Sequence, residues 1–135
     1  MGQARIAVLD DDATHLELLT TLLEDEGYEV VGQADLRAGF IFIQNQAPTL
    51  VLMDIFQQHQ PIGLEVIAAL KADPYLRAVQ IVVLSADAST LRQYAEQFVR
   101  DGITAVDKPY DMECLLELVR DRLHAGAQPS QDHLS

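Results

Sequence analysis

The stretch that most limits what this chain can become is Leu50-Val51-Leu52-Met53-Asp54, four consecutive apolar residues that stop at a carboxylate. The run is too short for a globular helix, and Pro48 on one side and a glutamine-rich segment on the other confine it. It reads as a strand covered on both faces, the kind that builds a parallel sheet. Asp54 then lies at the strand's carboxyl end, where open α/β sheets place their ligand sites.

Three further buried-looking strands end in a similar way. Residues 6–9 lead into Asp10-Asp11-Asp12, residues 81–84 into Ser85, and residues 103–106 into Lys108-Pro109 after one intervening residue. A carboxylate, an acidic cluster, a hydroxyl and a lysine are thus expected along one edge of one sheet.

Between these runs come amphipathic segments, and the alternation repeats five times, the pattern of βα units. Thr14-His15-Leu16-Glu17 has capping-box spacing and is expected to open a helix carrying Leu16, Leu19 and Leu23 on one face, ended by Gly27. Residues 29–32 give a second strand. Asp35 is expected to cap a helix with Leu36, Phe40 and Ile43, closed by Pro48. A third helix begins near Gly63, presents Leu64, Ile67 and Leu70, and breaks before Pro74. A fourth is expected over residues 89–100, with Leu91, Tyr94, Ala95 and Phe98 on one side. Met112, Leu115, Leu116, Val119 and Leu123 mark the last.

The fold class is therefore α/β, a doubly wound five-stranded parallel sheet between helices. Periodicity does not encode strand order. The order 2-1-3-4-5 is one of the two common solutions, and it would set Asp10 and Asp11 beside Asp54. Residues 1–125 are read as one domain and residues 126–135 as a flexible tail.

Composition narrows the partners. Apolar residues are 49% of the chain, which excludes a disordered one, and a net charge of −12 argues against direct nucleic-acid binding. One cysteine, Cys114, excludes an internal disulfide, and its apolar neighbours suggest a small buried residue. Nothing approaches a membrane-spanning length, and no secretory signal stands at the start, so a reduced cytoplasmic setting is expected.

Carboxylates that meet in a small volume repel one another, and a divalent cation relieves the repulsion. Magnesium suits oxygen ligands, keeps several waters and needs only one or two carboxylates directly. With it, Asp54 could stay ionised and act as a nucleophile toward a phosphoryl group. Phosphoryl transfer mainly requires positioning and neutralisation of the equatorial oxygens. Mg²⁺, the Lys108 ammonium and the Ser85 hydroxyl would each serve one.

At these residues the chain resembles the receiver domains of two-component response regulators. The matching pieces are Val8-Leu9-Asp10-Asp11-Asp12, Val51-Leu52-Met53-Asp54, Val83-Leu84-Ser85-Ala86 and Lys108-Pro109, and their order and separations fit over roughly residues 4–124. The resemblance implies a flavodoxin-like (βα)5 sandwich. It implies that Asp10 and Asp11 hold Mg²⁺, with the backbone carbonyl of Phe56 and Asp54 itself. It also implies that Asp54 accepts phosphate from a sensor histidine kinase or a histidine phosphotransfer protein, and that Ser85 and Lys108 bind the phosphoryl group. The Lys108–Pro109 bond is expected to be cis. The surface formed by the fourth helix, fifth strand and last helix would signal to a downstream protein, and homodimerisation through that face is one arrangement the family allows.

Three features depart from the family pattern. The loop after Asp54, Ile55-Phe56-Gln57-Gln58-His59-Gln60-Pro61-Ile62-Gly63, is one residue longer than usual. Ala105 stands three residues before Lys108, where the family carries a switch aromatic. The fifth strand is also reached by one residue fewer after Gly102.

Other residues have blander readings. Asp12 suits a helix cap better than a metal ligand. His59 reads as a solvated side chain of a mobile polar loop, Tyr94 and Phe98 as core or rim of the fourth helix, and Tyr110 as packing after Lys-Pro with no chemistry. Two other functions compete with the phosphoacceptor switch. One is a docking module of receiver shape that works without phosphorylation. The other is a phosphatase with an aspartate nucleophile, disfavoured because Phe56 stands where such enzymes carry a second aspartate. A single-domain regulator and a piece of a longer protein with an effector both remain open.

Overall fold

The computed structural model describes residues 4–127. The expected tail, residues 126–135, falls almost wholly outside them. Five strands form one parallel sheet: β1 (Arg5–Leu9), β2 (Glu29–Gln33), β3 (Leu50–Asp54), β4 (Gln80–Ser85) and β5 (Thr104–Asp107). Their order is β2-β1-β3-β4-β5, the order at which the acidic cluster meets Asp54.

Side chains alternate across a strand, so β3 serves two cores at once. Leu50 and Leu52 join Ile6, Val8, Val82 and Leu84 on one face. There they meet Leu19 and Leu23 of α1 (Ala13–Asp25) and Leu115, Val119 and Leu123 of α6 (Met112–Ala127). Val51 and Met53 join Ala7, Leu9, Ile81 and Val83 on the other face. That side is covered by α2 (Gly39–Gln46), α3 (Ile62–Ala72) and Phe98 of α5 (Ala95–Arg100). All four apolar residues of β3 are at most 1% exposed. Each such burial is worth about 1.5–3 kcal/mol, so the strand that carries Asp54 is among the hardest to displace.

The helices differ from expectation at their ends. Thr14 does not cap α1. Asp12 does, its carboxylate accepting from the amides of Thr14 at 3.0 Å and His15 at 3.3 Å. The blander reading of Asp12 thus holds. Asp35 caps a short 3-10 turn, Leu36–Ala38, and α2 starts behind it. The expected fourth helix is two pieces, α4 (Ala88–Gln93) and α5, broken at Tyr94. Ala95 is exposed, while Phe98 is buried and Leu91 and Tyr94 partly so. Cys114 is also exposed, contrary to its apolar surroundings in sequence: Leu115 takes the inward position on α6 and Cys114 points away. The Lys108–Pro109 bond is cis, as expected.

Candidate functional site

The register of the sheet assembles the site. Leu9 pairs with Met53, so the chain leaves β1 at Asp10 beside the end of β3 at Asp54. Ser85 pairs with Asp107, so Lys108 emerges next to the end of β4. The four strand ends named from sequence therefore share one edge. Asp54, Phe56, His59, Ser85, Asp87 and Lys108 line a cleft there of about 570 Å³.

Asp54 is held from two sides. Its Oδ1 accepts from the Ile55 amide at 2.7 Å and from the Phe56 amide at 3.4 Å. Its Oδ2 accepts from the Lys108 ammonium at 2.9 Å. Lys108 also stands 3.9 Å from Oδ2 of Asp10, so one cation serves two carboxylates. Charge-assisted contacts of this kind, partly shielded from water, fix a carboxylate better than a solvated pair does.

Asp10 is buried, at 2% exposed. Its Oδ1 accepts from the Asp12 amide at 2.9 Å, and its Oδ2 contacts Nδ1 of His15. Asp11 is exposed beside it. Ser85 is 1% exposed, and its Oγ accepts from the Asp87 amide at 3.1 Å, while the Asp87 carboxylate caps α4.

The long loop after Asp54 is ordered by its own hydrogen bonds. Gln57 and Gln60 exchange backbone bonds of 2.9 and 3.0 Å around Gln58 and His59, which take φ of 51° and 64°. This is the primed turn of a tight hairpin, built without the glycine or asparagine it prefers. Arg37 donates to the Gln60 side chain at 3.0 Å, and the Gln57 side chain donates to Asp35 at 3.0 Å. The loop expected to be mobile is thus pinned to the corner before α2. The extra residue is absorbed in the turn, and α3 still approaches Asp54 closely. A Cβ on Gly63 would lie 2.4 Å from the Asp54 carbonyl oxygen, so only glycine permits that packing.

Among the described residues no three His, Cys, Asp or Glu side chains stand close enough together to hold a metal ion. Magnesium does not need such a cage. Asp11, Asp54 and the Phe56 carbonyl offer hard oxygen donors, and the ion would bring the rest of its shell as water. The donor set fits Mg²⁺ in chemistry, with the Lys108 ammonium as the competing cation at Asp54.

Two site residues had no role in the sequence. His15, partly buried with its side chain 16% exposed, lies between Asp10 and Tyr110, its Nε2 against the Tyr110 hydroxyl. Burial, with the charge of Asp10 adding to it, pushes the Tyr110 phenol up to about 12. No local pattern joins residues 95 positions apart. The only available signal was that Lys108-Pro109 must come near the acidic cluster, which places the next residue near α1. Ala105, in contrast, lies exposed on β5.

Comparison with known proteins agrees with this geometry. Residues 6–120 match the family described as response regulator receiver domain. PilH of Pseudomonas aeruginosa is 30% identical, in an alignment covering 86% of this chain and 94% of PilH. The DNA-binding response regulator MtrA of Mycolicibacterium paratuberculosis is also 30% identical, over 97% of this chain. The chain spans about half of the MtrA relatives it matches, 56% in that case. The crystal structure of a CheY-like receiver domain protein from Methanospirillum hungatei superposes with a TM-score of 0.82 at 27% identity, covering 96% of this chain and 100% of the other. A Vibrio parahaemolyticus receiver domain of a LuxO-type repressor reaches 0.83 at 18% identity, over 96% of both chains, a likeness of fold alone. Strand order, strand-end chemistry and the match over residues 6–120 agree, and the chain belongs to the response regulator receiver domain family.

Proposed function

We propose that this chain is a phosphoacceptor switch of a two-component system, with Asp54 the residue phosphorylated. The observation that carries the reading is the Lys108 ammonium 2.9 Å from Oδ2 of an Asp54 whose other oxygen is fixed by backbone amides. One carboxylate is thereby oriented at the mouth of an open cleft, with a cation in place for the charge that arrives.

In this reading Asp11, Asp54 and the Phe56 carbonyl hold Mg²⁺, with Asp10 supporting the ion from its buried position. The ion supplies charge neutralisation at the phosphoryl group. Lys108 takes a second phosphoryl oxygen and Ser85 a third, its hydroxyl turning from the Asp87 amide. The donor is a sensor histidine kinase or a histidine phosphotransfer protein. The domain assists its own phosphorylation and dephosphorylation and acts on no separate substrate.

A phosphoryl group adds about 1.5 to 2 negative charges and strong acceptor oxygens. The responding surface is the face of α4, α5, β5 and α6, read by a downstream protein or a second copy of the chain. Residues 1–125 constitute the switch, and the net charge of −12 disfavours direct nucleic-acid contact by it. No described helix is long and apolar enough to cross a membrane, consistent with a cytoplasmic site of action.

The test is intact mass after incubation with Mg²⁺ and acetyl phosphate, beside Asp54→Asn and a sample with EDTA. One phosphate added to the wild type and to neither control supports the reading. No adduct in the wild type, with no detectable Mg²⁺ binding, overturns it in favour of a docking module.

A further inference from the structure

The chain lacks an aromatic at Ala105, yet an aromatic hydroxyl does reach its acidic pocket, from another direction. Tyr110 leaves the cis bond at Pro109 and contacts His15, whose other nitrogen contacts Asp10. The two rings lie 5.8 Å apart at 56°. The hydrogen-bond roles follow from chemistry. A carboxylate only accepts, so Nδ1 of His15 carries a proton and donates to Oδ2 of Asp10. Nε2 then accepts from the Tyr110 hydroxyl in the neutral imidazole and donates to the Tyr110 oxygen in the imidazolium, so the contact exists in either form. The other oxygen of Asp10 is tied to the Asp12 amide at the start of α1. Asp10 is therefore constrained at both oxygens, and one constraint continues through His15 to the residue two positions before α6.

We propose that His15 is a positioning residue that couples the acidic pocket to the head of α6 through Tyr110. The proposal rests on the phosphoacceptor reading of Asp54. It goes beyond that reading by naming a route that does not use β5. A cation held by Asp54 and Asp11 would attract the Asp10 carboxylate. Asp10 cannot shift without drawing on its contact with His15, and His15 cannot turn without breaking or dragging its contact with Tyr110. Beside the Tyr110 ring lies a largely apolar groove of about 370 Å³, bounded by Tyr110 itself and by His15, Ala86, Lys108, Pro109 and Met112. The far end of the linkage thus borders open space rather than packed core.

The experiment is amide NMR of the ¹⁵N-labelled chain titrated with Mg²⁺ alone, in the wild type, Tyr110→Phe, His15→Leu and His15→Gln. Tyr110→Phe keeps the ring and removes only the hydroxyl. The expected result is Mg²⁺-induced shifts at Asp11 and Phe56 in both wild type and Tyr110→Phe. Shifts over residues 112–116 should appear in the wild type and fall at least twofold in Tyr110→Phe and His15→Leu. Glutamine can donate at one end and accept at the other, so His15→Gln should recover part of the remote shift, which a purely space-filling role would not require. If His15→Leu fails to fold, Tyr110→Phe decides alone. Shifts at Asp11 and Phe56 with none over residues 112–116 in the wild type overturn the coupling and leave the switch intact. Remote shifts unchanged in Tyr110→Phe overturn it equally. No shift at Asp11 or Phe56 in the wild type is the distinct result that removes the metal site itself.

Discussion

Lys108 and Asp54, 54 positions apart in the chain, meet with Nζ 2.9 Å from Oδ2. The contact occupies one Asp54 oxygen while the other accepts from the Ile55 and Phe56 amides, so the ammonium restrains Asp54 and would compete with another cation there. Whatever enters the cleft must share Asp54 with Lys108 or displace it.

Lys108→Met tests both roles. Partly exposed ion pairs contribute up to about 1 kcal/mol, so removing the competitor should tighten Mg²⁺ binding by roughly fivefold. Phosphate uptake from acetyl phosphate should fall by about tenfold or more, since one phosphoryl oxygen loses its cation. Isothermal titration and intact mass over time measure the two. Looser Mg²⁺ binding in the variant would contradict the competition.

Gly63→Ala probes the packing behind Asp54. The added Cβ would lie 2.4 Å from the Asp54 carbonyl oxygen and 2.7 Å from the Ile55 Cα, both backbone atoms that cannot turn aside. The helix or the strand end must move, at a cost of about 1–3 kcal/mol. Urea unfolding should show that loss, and the amide signals of Ile55 and Phe56 should shift with it.

His59→Gly should stabilise the chain. A non-glycine residue at φ of 64° carries a left-handed cost of about 1–2 kcal/mol, partly offset by the greater freedom of glycine in the unfolded chain. A net gain of roughly 0.5–1 kcal/mol is expected in urea unfolding. A loss would mean that the imidazole, which lines the cleft, makes a contact worth more than the strain.

Tyr110 predicts an alkaline effect. Its pKa in the fold is pushed from 10.0 up to about 12, first by burial and then by the charge of Asp10. Because the folded value is the higher one, the stabilisation is fully present below pH 10 and is lost as pH rises through about 12. Phenolate absorbance in the wild type should include a late step that Tyr110→Phe removes, and the variant should lose less stability over that range.

Much of this was legible locally. Uninterrupted apolar runs ending at Asp10, Asp54 and Ser85 identify buried parallel strands, because only a sheet covered on both faces tolerates such runs. The segment before Lys108, in contrast, carries Thr104 and forms the edge strand β5, none of whose residues is buried. Helical spacing located Leu19, Leu23, Leu115 and Val119 on their inward faces. Helix boundaries were less legible where two residues could cap, and Asp12 prevailed over Thr14 because its carboxylate reaches two amides of the first turn. The break at Tyr94 and the exposure of Cys114 depend on how α5 and α6 rotate against the sheet, which a stripe a few residues wide does not settle.

Hydrophobic period and chain direction suffice to specify the strands, the sheet class and the carboxylates, hydroxyl and lysine at the strand ends. Which of those groups touch depends on how the strands and helices pack in three dimensions. The pairing of Lys108 with Asp54 and the line from Asp10 through His15 to Tyr110 join residues that no local period relates. They exist because the order β2-β1-β3-β4-β5 brings separate strand ends to one edge, where side-chain reach and hydrogen-bond complementarity select the partners.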